Sequence, residues 1–515
     1  MKRALISVSD KTGVIELAQA FVSHDVEVVS TGGTHKLLHG AGVPVTNISD
    51  ITGFPEIMDG RVKTLHPNIF GGLLAIRAND EHMGAIEGLD IKPIDYVIVN
   101  LYPFQATIEK PNVTFEEAIE NIDIGGPSML RAAAKNYQDV AVVVDSGDYA
   151  RIIDGLDNDN PLTRAEKLGL ATKVFRHTAA YDALISQYLT QATGEAFPER
   201  LTVTYEKVQD LRYGENPHQQ AAFYAEPGAA SHTIAGAKQL HGKELSYNNI
   251  NDANAALAIV QEFNEPAVVA IKHTNPCGVG IAETILDAYI KAYEADPVSI
   301  FGGIVALNRE VDLQTAQKMS ELFLEIILAP SYTTGALELL TQKKNLRVMT
   351  VEMTPQGGIP ALGTPRTTQK VQGGLLIQDL DLQTVTETDV QVVTKRQPTS
   401  EEMKQLLFAW KVVKHVKSNA IVLAGADRTV GVGAGQMNRV GAAKIAIEQA
   451  GDLAKGSVLA SDAFFPMADT VQAAAAAGVT AIVQPGGSIK DADSIAAADE
   501  AGIAMIFTSV RHFKH

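Results

Sequence analysis

Cysteine and tryptophan are nearly missing: each occurs once in 515 residues. A single Cys277 cannot close an intrachain disulfide, and zinc sites built on several thiolates are excluded with it. The chain therefore reads as a protein of a reducing compartment, the cytoplasm. Long apolar runs are missing too. Even the alanine-rich stretch 471–484 is interrupted by Gln472 and Gln484, and none approaches the roughly 20 residues of a membrane span. The opening MKRALISVSDK lacks the apolar core of a signal peptide, so no membrane partner is expected. Positive charge is in short supply, with 43 Lys and Arg against 60 Asp and Glu and a net charge of −17. That balance argues against broad binding to nucleic acid, which needs clustered cations. It leaves room for a few local cations around one small anion.

What is present is ordinary globular material, 46% apolar and 20% charged, in a length that suggests about three domains. Over 1–145, β-rich runs (ALISVS, VEVVSTGG, DYVIVNLYP, DVAVVVD) alternate with helical patterns such as TGVIELAQAFVSHD. This alternation predicts a parallel α/β sheet, with ligands at the carboxyl ends of its strands. The Asp/Asn-rich LDNDNP (156–161) breaks the pattern, and 164–192 reads as a long helix with Leu168, Ala171, Val174 and Phe175 on one side, so 146–200 is expected to be a helical connector. A second α/β series fills 201–515. Inside it AVVAIKHTNPCGVGI is echoed by AIVLAGADRTVGVGAG, and SIFGGIVALN by SVLASDAFFP. The echo suggests a duplicated unit, although strand-glycine-helix patterns also recur by chance. The weakly periodic 331–400 reads as connecting structure.

Several strings carry chemistry. SVSDKTG (7–13) and STGGT (30–34) put hydroxyls, glycines and Lys11 after a strand and before a helix, where free N–H groups favour an anion. They read as a phosphate cradle or as two N-caps with glycine turns. Neither is a Walker loop or a G-x-G-x-x-G. In GRVKTLHP (60–67), Arg61 offers a planar fork and Lys63 a point charge for an oxyanion, or both belong to a solvated turn. Asn100 and Tyr102 of NLYPF, Asp123 of IDIGG and Lys135 of RAAAKN could assemble a proton-transfer set; alternatively Asp123 caps a helix starting near Ser128. LRYGENPHQ (211–219) is dense in polar groups, among them Arg212, Tyr213, Asn216 and His218. In IKHTNPCG (271–278), Lys272 and His273 end a strand, a pairing that favours acid–base work over a structural histidine. SNAIVLA, GAGQMNR, SDAFFPMAD and the final RHFKH add amides, a cation and paired aromatics that suit either a core or the wall of a flat heterocycle.

From SVSDKTG through RVKTLHP, NLYPF, IDIGG, RYGENPHQ, KHTNPCG, FGGIVALN, GQMNR and SDAFFP to the last residue, the chain resembles the bifunctional purine-biosynthesis family. Its members are both phosphoribosylaminoimidazolecarboxamide (AICAR) formyltransferase and IMP cyclohydrolase. The resemblance runs in order over essentially all 515 residues. It implies a methylglyoxal-synthase-like cyclohydrolase over 1–145 and a transformylase over 201–515 made of two cytidine-deaminase-like units, about 201–360 and 361–515. It implies 10-formyltetrahydrofolate as co-substrate and a homodimer whose transformylase residues come from both subunits. Deaminases hold zinc with a PCxxC string; PCGVG lacks the second cysteine, so no catalytic metal is expected.

By match to the family, Lys272 stabilises charge on the formyl oxygen and His273 manages the amine proton. Arg212, Tyr213, Asn249, Gly302, Glu325, Asn419, Arg439, Phe465, Arg511 and His515 fall on its substrate-binding positions. Ser7, Ser9, Lys11, Ser30, Gly33 and Thr34 match nucleotide-phosphate contacts, and Arg61, Lys63, Thr64, Asn100, Tyr102, Asp123, Gly125 and Lys135 match the ring-closure site. Lys135, Tyr102 and Asp123 are candidates to remove the carboxamide proton, Lys63 and glycine N–H groups to balance the formyl oxygen; which lysine does which stays open. Asn438 stands where the family can carry Ser, so a phosphate contact there would come from an amide. Two competing readings are a regulatory module sensing a phosphorylated metabolite, which leaves KHTNPCG and SDAFFP idle, and a zinc-free deaminase-like enzyme on another purine precursor.

Overall fold

The computed structural model describes residues 1–353 and 366–515. They form two compact units, Met1–Tyr205 and Glu206–His515.

In the first unit five parallel strands lie in the order Thr46–Asn47, Val26–Ser30, Lys2–Ser7, Tyr96–Val99, Ala141–Val143. Alternate strand residues point to opposite faces. On one face Ala4, Ile6, Val26 and Val28 meet Val14, Leu17, Ala18 and Phe21 of helix Val14–Ser23. On the other, Leu5, Val29, Val97 and Val99 meet Met129, Leu130 and Ala133 of helix Gly125–Lys135. The strand order reverses between Lys2–Ser7 and Tyr96–Val99, so the loops after these two strands diverge to open a crevice at the sheet's carboxyl edge. Helix Arg164–Thr193 starts on a capping box between Thr163 and Glu166. It belongs to this unit: Ala171 and Val174 enter the core that Leu5 and Val97 share, whereas Leu168 and Phe175, expected on the same face, are 49% and 41% exposed.

The second unit is built on a twelve-stranded mixed sheet. Its topology repeats. Helix Tyr247–Val260 precedes the hairpin Ala267–Lys272/Asn275–Ile281, then helix Ile285–Ala295 and the parallel strands Ile304–Leu307, Ile326–Ala329 and Arg347–Thr350. Helix Ser400–Val413 likewise precedes Ile421–Gly425/Arg428–Gly433, then helix Arg439–Ala450 and the parallel strands Val458–Ser461, Ala481–Gln484 and Ala504–Phe507. The two copies join edge to edge where Gly280 pairs with Arg428. The glycine echo has a steric cause: a Cβ on Gly278 or Gly431 would stand 2.0 Å from the carbonyl oxygen of Ala292 or Ala446, so each hairpin must be bare for its helix to dock.

Leu257, Val260, Leu406 and Val413 share one core on one side of this sheet, and each copy keeps its own core on the other. Glu262 at the rim of the shared core accepts from Lys414 Nζ and meets His415 Nε2, both at 2.9 Å. Against the effect of burial, the bond and charge of His415 and the charge of Lys414 hold its carboxyl at about 2. Removing one partner of a buried pair commonly costs about 3–5 kcal/mol, because the other charge is left unpaired.

The segment expected as connecting structure differs in its first part. Helix Thr334–Leu340 and strand Arg347–Thr350 complete the first copy. Elements of seven and four residues are too short to show a period in the sequence. Beyond it come the hairpin Arg366–Val371/Gly374–Asp379 and the short strand Gln391–Val392. The expected boundary at 360/361 lies outside the described residues.

Candidate active sites

The crevice of the first unit gathers the N-terminal motifs. Lys11 Nζ donates to Thr34 Oγ1 at 2.7 Å and to the carbonyl of Val8, and Ser7 Oγ lies 3.0 Å from Thr31 Oγ1. Helix Gly32–Gly40 begins here with no side-chain cap, so its first N–H groups are free to meet an anion. Gly33 is exposed with open space around it. Asn100 Oδ1 accepts from the N–H groups of Ser9 and Asp10, tying the two loops at the strand reversal together. Ser30 does not join: it is fully buried and its hydroxyl donates to Ile6 O at 2.7 Å, spent on holding two strands. Thr31, the next residue, is the hydroxyl that lies beside Ser7.

Lys63 connects this cradle to the second group. Its charge, after burial, pushes the Lys11 ammonium below the ordinary lysine value, and a Cβ on Gly32 would lie 3.7 Å from Lys63 Nζ. Two lysines that raise each other's cost are relieved by a bound anion. Asp123 is pushed up by burial, opposed by N–H groups of Gly126 and Tyr102 and by the charge of Lys63. Asp123 Oδ1 accepts from Gly126 N–H at 2.9 Å, so it does hold the start of a helix, at Gly125 and not near Ser128. Thr64 Oγ1 would be 2.7 Å from a Cβ on Gly125, which leaves that backbone bare beside it.

Two expected members stand apart, and a third joins through its backbone alone. Lys135 ends the helix that Gly125 begins, about 15 Å away along the axis, and is not brought to Asp123. Tyr102 offers Asp123 its N–H, while its side chain is exposed. Arg61 is exposed and paired with Glu120. Tyr181 was not foreseen: from the long helix, its hydroxyl accepts from Asp123 N–H at 2.9 Å and donates to Asn121 O at 3.1 Å, fixing the Asp123 loop. Ser9, Asp10 and Asn100 also line a cavity of about 910 Å³, ligand-sized, with Lys173 and Arg176 on its wall.

In the second unit Lys272 and His273 sit at the tip of the first hairpin. Lys272 Nζ donates to Phe301 O at 2.8 Å and Gly302 O at 3.1 Å. His273 and Thr274 both have positive φ, 53° and 61°, the conformation a two-residue hairpin turn requires. Asn275 Oδ1 accepts from Lys417 N–H at 3.2 Å, which brings the turn to the segment carrying Asn419. Asn419 bonds Gln436 O at 2.7 Å through its amide and accepts from Arg439 Nη2 at 2.7 Å. The chain end joins the same cluster, with His512 N–H on Asp462 O at 3.0 Å and Ser418 N–H on Lys514 O at 2.9 Å.

Here too the structure redistributes roles. Arg439 is 5% exposed and its donors are spent on Asp462, Ser461 and Asn419, so it orders Asn419 and presents no free fork. Asp462, fully buried, anchors this network. Phe465 is fully buried in the core; Phe464, 38% exposed, is the ring that faces outward. Adjacent aromatics give no sequence sign of which one turns in. Asn249 closes the capping box of helix Tyr247–Val260, and Asn438 caps helix Arg439–Ala450 through Gly441 N–H at 2.7 Å. Glu325 pairs with Arg347 at 2.7 Å beside the Gly302–Gly303 backbone. Arg212 stacks over Tyr213 at 4.7 Å and Arg511 over Phe513 at 4.3 Å, all but Tyr213 exposed, and His515 lies against Phe513. Cys277 is buried, donates to Ala270 O, and has its thiol pushed up by burial to about 12, so it is an inert core residue. Among the described residues no group of three His, Cys, Asp or Glu is gathered for a metal, and no helix is long and apolar enough to cross a membrane.

Two α/β units, each gathering cationic and polar side chains at its strand ends, give the architecture of a protein with two separate small-molecule sites. Residues 133–449 match the family model described as "AICARFT/IMPCHase bienzyme", and 13–128 that of the "MGS-like domain". The "Bifunctional purine biosynthesis protein PurH" of Halalkalibacterium halodurans and that of Bacillus cereus are each 63% identical over 514 residues, covering 100% of both chains. A solved structure titled "Crystal structure of ForH" aligns with 36% of this chain and 97% of that one at 35% identity and a TM-score of 0.33, too loose a likeness to bear on the fold. The chain belongs to the AICARFT/IMPCHase bienzyme family: it is a bifunctional AICAR formyltransferase and IMP cyclohydrolase of the last steps of IMP synthesis.

Proposed function

We propose that the second unit moves the formyl group of 10-formyltetrahydrofolate to the 5-amino group of AICAR, and that the first unit closes formyl-AICAR to IMP. The carrying observation is that Lys272, fixed on the carbonyls of Phe301 and Gly302, and the exposed His273 stand together at a hairpin tip beside the Asn419 network. The AICAR amine is a weak nucleophile, so attack on the formyl carbon needs its proton removed and charge on the formyl oxygen balanced. His273 takes the proton, and Lys272, fixed by two carbonyls at the Gly302 loop, faces the oxygen. Collapse of the tetrahedral adduct breaks the bond to N10, which leaves as tetrahydrofolate with a proton. Phe464 offers a flat face to the pteridine.

In the first unit the phosphate sits among Ser7, Lys11, Thr31, Thr34 and the start of helix Gly32–Gly40. The carboxamide nitrogen attacks the formyl carbon and gives one proton to Asp123, made more basic by burial, while Lys63 steadies the oxygen; the C–O bond then breaks as the formylated 5-nitrogen loses its proton and forms the ring C=N bond, and the oxygen departs as water with these two protons. Purified enzyme given AICAR and 10-formyltetrahydrofolate is expected to yield tetrahydrofolate and IMP in equal amounts. Deamination of AICAR, or binding without turnover, contradicts the reading.

The enzyme works in the cytoplasm as a homodimer, with transfer requiring both subunits. Exposed apolar side chains around the transfer site, Phe301, Met437 and Phe464, support a covering partner. Sedimentation on dilution, run beside the transfer assay, checks it; full transfer by a proven monomer contradicts it.

A further inference from the structure

The duplication supplies an internal control for the reacting turn. The two repeated hairpins of the twelve-stranded sheet turn through two residues of positive φ: His273 and Thr274 at 53° and 61°, Ala426 and Asp427 at 53° and 62°. In each, a side chain 21 residues ahead of the turn, on the preceding helix, accepts from the N–H of the second turn residue. In the first hairpin Asp252 Oδ1 accepts from Thr274 at 2.7 Å; in the second Gln405 Oε1 accepts from Asp427 at 3.1 Å.

The copies differ where chemistry is concerned. The second turn carries Gly425 and Ala426 in place of Lys272 and His273, and its clamp is a neutral amide. That amide also donates from Nε2 to the Asp427 carboxylate at 2.8 Å, so in the second copy the charge sits on the turn and in the first it sits on the clamp. A half-buried carboxylate is costlier to keep than an amide, yet the copy with Lys272 and His273 keeps one. Burial pushes Asp252 above the ordinary carboxyl value, and the bonds to Thr274 and His273 and the charges of His273 and Lys272 act against that.

We propose that Asp252 is a positioning residue for formyl transfer, its carboxylate gripping the His273–Thr274 turn and its charge favouring the imidazolium that His273 becomes on taking the amine proton. This rests on the reading of His273 as the group that handles that proton. Asp252 touches no substrate; it acts through His273, as a carboxylate behind a catalytic imidazole does elsewhere.

The test is Asp252→Asn, which keeps an oxygen for Thr274 N–H and removes the charge. The kcat of transfer should fall at least about tenfold, with KM for AICAR, ring closure and melting temperature unchanged. In a His273→Ala background the same substitution should cost nothing further, and Asp252→Glu should recover part of the loss. Wild-type kcat in Asp252→Asn, a full additional loss in the double variant, or Asp252→Glu no better than Asp252→Asn would each overturn the proposal. If His273→Ala itself retains transfer, the reading of His273 falls and the proposal with it; if only Asp252→Asn retains transfer, the proposal alone falls.

Discussion

His273→Ala should remove formyl transfer and leave ring closure intact. A positioned acid–base group is typically worth roughly 10²–10⁴ in rate, so at least about a hundredfold loss in kcat of transfer is expected. The effect should appear with no change in thermal stability, because His273 is exposed at a hairpin tip and packs in no core. A packed structural histidine would behave oppositely, lowering the melting temperature and both activities together. Transfer from 10-formyltetrahydrofolate to AICAR, closure of supplied formyl-AICAR, and a melting curve on one preparation decide between them. Retained transfer, or joint loss of both activities, sinks the assignment.

Lys63→Ala should do the converse. Removing one oxyanion donor commonly costs on the order of 10²–10³ in kcat, and Lys63 is the charge shared by the Lys11 cradle and Asp123. Its loss also frees Lys11 of a like charge, so the Lys11 ammonium should titrate higher in the free enzyme. Closure of formyl-AICAR should drop steeply while transfer, carried by the other unit, continues. Closure at the wild-type rate would leave Lys63 as a turn residue whose ion pair with Glu56, at 4.0 Å, has no part in the reaction.

Much of the architecture was legible where one local rule dominates. The apolar positions of Val14–Ser23 follow a helical period, and the structure buries Val14, Leu17, Ala18 and Phe21 together. The glycine echo exposed the duplication because close docking forbids a side chain at Gly278 and Gly431 alike. The grouping of Ser7, Lys11, Thr31 and Thr34 is legible because these residues are carried on two short loops after adjacent strands. Residues that act across long sequence distances did not show. Tyr181 reaches Asp123 from a helix 58 residues on, and Asp252 becomes visible only when the second turn is laid beside the first. Helix geometry, which residue chemistry does not reveal, sends Lys135 away from Asp123. The reaction itself came from resemblance to a family; residue types alone left a metabolite sensor and a deaminase-like enzyme open.

The central claim is that two chemistries reside in two separate units, and mixing the two variants tests it most directly. Neither His273→Ala nor Lys63→Ala alone should carry AICAR and 10-formyltetrahydrofolate through to IMP at an appreciable rate. Combined, the Lys63→Ala protein should make formyl-AICAR and the His273→Ala protein should close it, so IMP accumulates after a lag. A mixture that forms no IMP, although each variant keeps its own remaining activity when assayed alone, would contradict the account.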